Sequence, residues 1–318
     1  GTGESEPLPP EYSIEFLADS ILRLLNSFSL EKVAIIAPSY ASPAGYSFAQ
    51  DHPDRVKNLL LCGTMERIPA PLTPYVAHSI ATLERGDMEQ FADEVLGLTG
   101  PRVGHGLLCA DPSKVIPRRK LVLRILRSQL IKLSEEDKLR FKYNTYRLIQ
   151  HSFFDLGRPP AVPVLVFTGE HDTFTKAHLC RRIAAHIPGS QFTTILEADH
   201  MFHLEQFDTT SELFYRFSQE LPLHGLSGIS GLEDYSIEAR ELREAGWKQE
   251  LTDAPSPEVE PEAVDELISF IPEISEAAKV ADEPGETEAE TEAEAVDFDT
   301  MTKRELLQYA MDRGVDLP

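Results

Sequence analysis

Cysteine is scarce in this chain: Cys62, Cys109 and Cys180 are the only three among 318 residues. Odd in number and far apart, they form neither a CxxC pair nor a zinc spacing. They read as buried thiols of a reducing compartment, which makes the cytoplasm the default location. No apolar run approaches the ~20 residues that a membrane-spanning helix needs. No phosphate-cradling glycine loop and no cluster with metal-ligand spacing is present, so neither cofactor nor metal is expected. Basic residues are in deficit, 30 Lys and Arg against 53 Asp and Glu, for a formal charge of -23. The deficit is local. Residues 251–300 carry 17 acidic side chains against the single Lys279, residues 301–318 are neutral, and residues 1–250 hold only -7. The acidity belongs to a tail, says nothing about a substrate, and argues against non-specific nucleic-acid binding.

What is present is a series of buried-type strands, each followed by a chemically active residue. Val33 to Ala37 is an apolar run, and Pro38-Ser39-Tyr40-Ala41-Ser42 is a turn leading into a helix. A strand, a sharp turn and a helix hold a serine hydroxyl out for attack on a carbonyl. A second strand runs from Val56 to Cys62 after a helix that stops at Pro53. Val162 to Asp172 reads as a third strand ending in an acid, and Ile195 to Gln206 as a fourth followed by His200. Strands alternating with helices imply a parallel sheet covered on both faces. The first helix is announced by Pro10 to Glu15 and carries an apolar stripe through Phe16, Leu17, Ile21, Leu22, Leu24 and Leu25. The order Ser39, Asp172, His200, each just past a strand end, is a hydrolase arrangement.

On these residues the chain resembles the α/β-hydrolase superfamily, in its ester- and lactone-cleaving branch with a helical cap, from Gly1 to about Leu221. The resemblance implies an α/β fold with a mostly parallel sheet, flanking helices and a cap inserted at about residues 64–160. It implies Ser39 as nucleophile, His200 as general base and Asp172 as the acid that orients it. The backbone N–H of Tyr40 would be one oxyanion donor. Glu170 is a stand-in for the acid, His203 reads as structural and His171 as a loop residue. The usual Gly-x-Ser-x-Gly is altered, with Ala37 and Ala41 in place of both glycines, and Asp199 replaces a common glycine before His200. The opening Gly1-Thr2-Gly3-Glu4-Ser5 matches a loop that follows the family's fourth strand. The core therefore reads as N-terminally truncated, without its first strands and one oxyanion donor. The edge of the strand Val33 to Ala37 is then expected to be unpaired, and hydrolysis by the chain to be about a hundred- to a thousandfold weaker.

Between Gly63 and Pro160 the pattern is helical, and Met65, Ile68, Tyr75, Phe91, Leu96 and Phe153 are candidates for the pocket lining. A segment from Ile116 to Lys132 alternates basic residues with an apolar face and reads as a surface helix. After Pro222 the sequence looks like an acidic linker over residues 223–300, with an exposed helix from Leu232 to Leu251 and a disordered stretch from Asp282 to Thr300. Residues 301–318 read as a short terminal helix opening on the capping box Thr302-Lys-Arg-Glu305, with a resemblance to helix-extended-helix, SAP-like or Rho-N-like modules.

Two functions compete. One is a serine hydrolase acting on a small apolar ester, thioester or lactone through an acyl-enzyme. The other is a hydrolase-like docking platform whose acidic tether and terminal helix meet a protein partner. A tethered but active enzyme lies between them.

Overall fold

A computed structural model of the chain describes Gly3 and residues 5–235, Ser152 excepted. The Asp282–Thr300 stretch, the terminal helix and most of the acidic linker lie outside the described residues. Ser13 caps the first helix α1 (Ile14–Ser27) by accepting the Phe16 N–H. Strand β1 (Val33–Pro38) follows, then a single 3-10 turn Ser39–Ala41 and helix α2 (Ser42–Asp51). Strand β2 (Val56–Cys62) leads into a helical insertion made of α3 (Thr73–Glu84), α4 (Met88–Leu96), α5 (Arg119–Ile131) and α6 (Glu135–Gln150). The chain returns through strand β3 (Val164–Gly169), helix α7 (Ala177–His186) and strand β4 (Ser190–Ile195). Helices α8 (Phe202–Glu205) and α9 (Phe207–Ser218) precede strand β5 (Glu233–Tyr235).

The sheet order is β1-β2-β3-β4-β5, with the first four strands parallel and β5 antiparallel to β4. Both faces are covered, and the alternation along the central strands divides the core. Leu59, Leu61, Val164 and Val166 face one side with Tyr46, Phe48 and Ile183 from α2 and α7. Leu60, Cys62, Leu165 and Phe167 face the other, with Phe202, Leu213 and Phe217 from α8 and α9. This is why the strands read as continuous apolar runs rather than alternating ones. The three cysteines are buried free thiols. No helix among the described residues is long and apolar enough to cross a membrane.

Two expectations need correction. Residues 223–235 are not linker: Leu223, Leu226, Ile229 and Leu232 pack on the second core, and β5 closes the far side of the sheet. The helix expected to begin at Leu232 is therefore extended over Glu233–Tyr235, because Tyr235 is buried against the first core. The expected open edge is there. Among the described residues nothing pairs with the outer side of β1, where Ile36 is 43 % exposed.

The alanine at position 37 is accommodated by a glycine on the next helix. A Cβ at Gly45 of α2 would lie 2.7 Å from the Ala37 Cβ, with Ile35 and Leu59 also in contact. Helix α2 can approach the strand end because one of the two facing residues has no side chain. Gly45→Ala is expected to destabilise the chain by about 1–3 kcal/mol through overpacking. Adding Ala37→Gly should recover most of that loss, and urea unfolding of the two variants checks it.

Candidate active site

Ser39 sits at the carboxyl end of β1 with φ 46°, a left-handed conformation that a serine adopts only where the surroundings enforce it. The strain turns the side chain away from the backbone path between β1 and α2. Ser42 supports the turn from behind, its hydroxyl donating to the Ala37 carbonyl at 2.8 Å. Asp172 lies three residues past β3, and His200 five residues past β4. The two loops touch because Gly169 carries no Cβ: one there would fall 2.1 Å from the Asp199 carbonyl oxygen. Glu170 N–H donates to Ile195 O and His171 N–H to Ala198 O, both at 2.8 Å, and these bonds lock the loops together.

The three residues meet. His200 Nε2 is 3.0 Å from Ser39 Oγ, and His200 Nδ1 is 2.8 Å from Asp172 Oδ2. Asp172 is held on all sides: Oδ1 accepts the N–H groups of Phe174 and Thr175, and Oδ2 accepts the hydroxyls of Thr168 and Thr175. Burial alone would raise the Asp172 pKa, but His200 and these donors hold it below its ordinary value. Burial would lower the His200 pKa; the Asp172 carboxylate outweighs it, and Asp199 adds to the upward shift. The imidazole is therefore a stronger base than a free histidine. Glu170 is turned elsewhere, accepting the Glu197 N–H at 3.0 Å, and His171 lies 3.8 Å from Glu170. His203 is exposed, and partial desolvation together with the nearby His200 holds it below its ordinary pKa.

A small cleft opens at Ser39, lined by Tyr40, Met65, Ile68, Leu148, Phe153 and Phe174, among others. Met65, Ile68 and Phe153 are where the sequence placed them. Tyr75 is exposed instead, and Phe91 and Leu96 belong to cores within the insertion. Their helical spacing was visible in the sequence, but not which side of the insertion turns toward the serine.

Two buried polar clusters go beyond the sequence reading, which singled out only Asp199 among their charged members. Arg147 on α6 is fully buried, and its guanidinium donates to the carbonyls of Leu8, Pro9 and Tyr12, to Asn144 Oδ1 and to the Tyr40 hydroxyl. The group is satisfied without any carboxylate, and it fixes the residue after Ser39 to the insertion. Burial raises the Tyr40 pKa and Arg147 opposes that rise. The second is a carboxyl pair. Asp199 accepts N–H groups from Met201 and from Cys109 of the insertion, both at 2.9 Å, and Glu205 Oε2 accepts the Asp199 N–H at 2.8 Å. Glu205 is 2 % exposed and its Oε1 has no partner. Burial and the Asp199 charge push Glu205 up to about 8, so it retains a proton at neutral pH.

The unfolded chain releases the Glu205 proton near its ordinary 4.5, whereas the folded chain keeps it to about 8. The folded state thus binds more protons across that interval, and stability falls as pH rises through it. Glu205→Gln is expected to flatten the fall of Tm between about pH 5 and 8 and to raise Tm at the alkaline end. Thermal melts of both chains across that range provide the check.

A family model described as alpha/beta hydrolase fold matches residues 1–207. A curated relative from Klebsiella pneumoniae (strain 342), "Putative carbamate hydrolase RutD", is 24% identical over 219 residues, covering 66% of this chain and 74% of its own length. A protein of the same name from Caulobacter vibrioides (strain NA1000 / CB15N) is 32% identical over 68 residues, so the chain spans only 25% of that relative. Among solved structures, an enol-lactonase from Burkholderia xenovorans LB400 matches at TM-score 0.54 and 22% identity, covering 68% of this chain and 76% of that one. A thermophilic esterase from Thermogutta terrifontis matches at TM-score 0.53 and 20% identity, over 69% and 77% of the two chains. The structural likenesses speak for the fold. The strand order, the meeting of strand-end loops and the family match over residues 1–207 lead to one assignment: the chain belongs to the alpha/beta hydrolase fold family.

Proposed function

We propose that the protein is a serine hydrolase that opens a carboxylic ester, thioester or lactone through an acyl-enzyme on Ser39. The single observation that carries this reading is the imidazole of His200, within hydrogen-bond reach of both Ser39 Oγ and Asp172 Oδ2. In the first step His200 Nε2 accepts the Ser39 proton as Oγ attacks the carbonyl carbon. Asp172 stabilises the imidazolium that forms and holds Nδ1 protonated. The oxyanion of the tetrahedral intermediate accepts a hydrogen bond from the Tyr40 N–H. When the intermediate collapses, the leaving group departs with the proton from His200. Water then attacks the Ser39 ester with the same imidazole as base, releasing the acid.

The apolar lining of the cleft supports a small, largely hydrocarbon acyl group. The helical insertion acts in this reading as a cap, with Met65, Ile68, Leu148 and Phe153 shielding the acyl-enzyme from bulk water. The carbamate in the name of the relatives is a carbonyl that the same attack would open.

A fluorophosphonate probe is expected to label the chain, and Ser39→Ala to abolish labelling. Failure of the unaltered chain to label at any pH would sink the enzyme reading. For ester hydrolysis, His200→Ala should lower kcat by a factor of about 10³ or more, since base and nucleophile act as a unit. Only the neutral imidazole accepts the Ser39 proton, and its pKa lies above the ordinary 6.5. The rate kcat/KM should therefore rise with pH through an apparent pKa above 6.5. Asp172→Asn should move that limb to lower pH while reducing the rate, as a pH–rate profile would record.

A further inference from the structure

Two oxygens approach the inner nitrogen of the His200 ring, and only one of them belongs to Asp172. His200 Nδ1 is 2.8 Å from Asp172 Oδ2 and 3.0 Å from Thr175 Oγ1. Thr175 is 2 % exposed, and its own N–H donates to Asp172 Oδ1 at 2.8 Å. Its hydroxyl stands 2.5 Å from Asp172 Oδ2, so backbone and side chain grip both oxygens of one carboxylate. Gly63 leaves room for this arrangement: a Cβ there would lie 2.9 Å from His200 Cε1 and 3.2 Å from Thr175 Oγ1.

A hydroxyl has one proton, so Thr175 can donate to Asp172 or to His200 but not to both. The carboxylate takes it, being the nearer acceptor and a charged one. The Thr175 oxygen then turns a lone pair toward Nδ1. Three donors converge on Asp172 Oδ2: the hydroxyls of Thr168 and Thr175 and the Nδ1–H of His200. A carboxylate oxygen offers about two lone-pair directions, so the Nδ1–H is divided between Asp172 and Thr175. The O–H dipole has its positive end on the carboxylate and its negative end on the ring, which favours the charged form of both.

We propose that Thr175 is a positioning residue of the Ser39 site: its hydroxyl is the second acceptor of the His200 Nδ1–H and steadies the imidazolium formed as Ser39 loses its proton. The proposal rests on His200 as general base of the acyl-enzyme reaction. Its weight falls on the transition state, because Nδ1–H is a better donor in the imidazolium than in the neutral ring. The other titratable groups around His200 keep their state when the hydroxyl is removed. Asp199, on the same loop, adds to the upward shift of the imidazole. His203 on α8 is held low and is neutral, while burial keeps the proton on Cys180 of α7 and on Glu205. Arg102 stands over the Phe174 ring, which meets the imidazole edge-on.

Thr175→Val keeps the outline of the side chain and removes the oxygen, whereas Thr175→Ser keeps the oxygen. With p-nitrophenyl butyrate, Thr175→Val should lower kcat by about tenfold, the scale of one hydrogen bond to a charged group, with KM within about twofold. Thr175→Ser should recover most of the loss. The rising limb of kcat/KM should move to lower pH in Thr175→Val and stay in place in Thr175→Ser. A purely structural role would lower Tm without moving that limb. Should Thr175→Val fail to fold, Thr175→Ala carries the same expectation. A second arm needs no turnover: NMR titration of the chain carrying isotope-labelled histidine, with His200 identified by its absence from His200→Gln. The His200 pKa should fall in Thr175→Val and hold in Thr175→Ser. An unmoved His200 pKa in Thr175→Val overturns the proposal, as does a Thr175→Ser chain that behaves like Thr175→Val. Should no ester be hydrolysed, the titration still decides: the fall supports the second acceptor and its absence overturns it, while failed fluorophosphonate labelling counts against the enzyme reading alone.

Discussion

The parallel, in-register pairing of β1 to β4 is the constraint on which the rest depends. Parallel strands that start on one side of a sheet must end together on the other. Ala37 pairs with Leu61, Cys62 with Phe167 and Gly169 with Ile195, so the carboxyl ends of these strands share one edge. Ser39, Asp172 and His200 come from sequence positions up to 161 residues apart, yet the ladder places them within hydrogen-bond reach. Rigid strands supply the position and short loops supply the side chains. That division of labour lets the loops carry strain, as Ser39 does, without loosening the site.

Electrostatics around the site works by unequal treatment of charges. Asp172 is surrounded by donors and stays ionised, while Glu205, with one bonded oxygen and one orphan, keeps its proton. Two carboxyls on the same side of the molecule therefore carry different charge at neutral pH, because their neighbours differ. Arg147 shows a third solution: a buried cation compensated by carbonyls and hydroxyls alone.

Much of this was legible in the sequence because the signals are local. The run Val33 to Ala37 and the turn at Ser39, and the run through Val164 to the acid at 172, each announce a strand and its tip within ten residues. The long-range polar contacts were not legible. Nothing in Arg147 itself reveals that residues 8 to 12 supply its acceptors, because that pairing exists only after the insertion folds back on the core. Asp199 stood out as an unusual neighbour of His200, but its grip on the Cys109 N–H depends on a segment 90 residues away. The strand at 233–235 was hidden for another reason. Glu233 and Asp234 look like the beginning of an acidic tail, and it is the ladder with β4, the buried Tyr235 and the Arg181–Glu233 ion pair that tie them to the sheet.

The Arg147 hub also sets an order of assembly. Its bonds join residues 8 to 12, Tyr40 and α6 across sequence separations of 107 to 139 residues. Contacts of such long range form late, after loop-closure entropy has been overcome by the sheet and the insertion. The turn that carries Ser39 is thus locked only once the insertion has folded back, by a side chain that arrives from it. A nascent chain that has emerged only as far as β2 can build the strand that bears the serine, but its elbow is not yet locked.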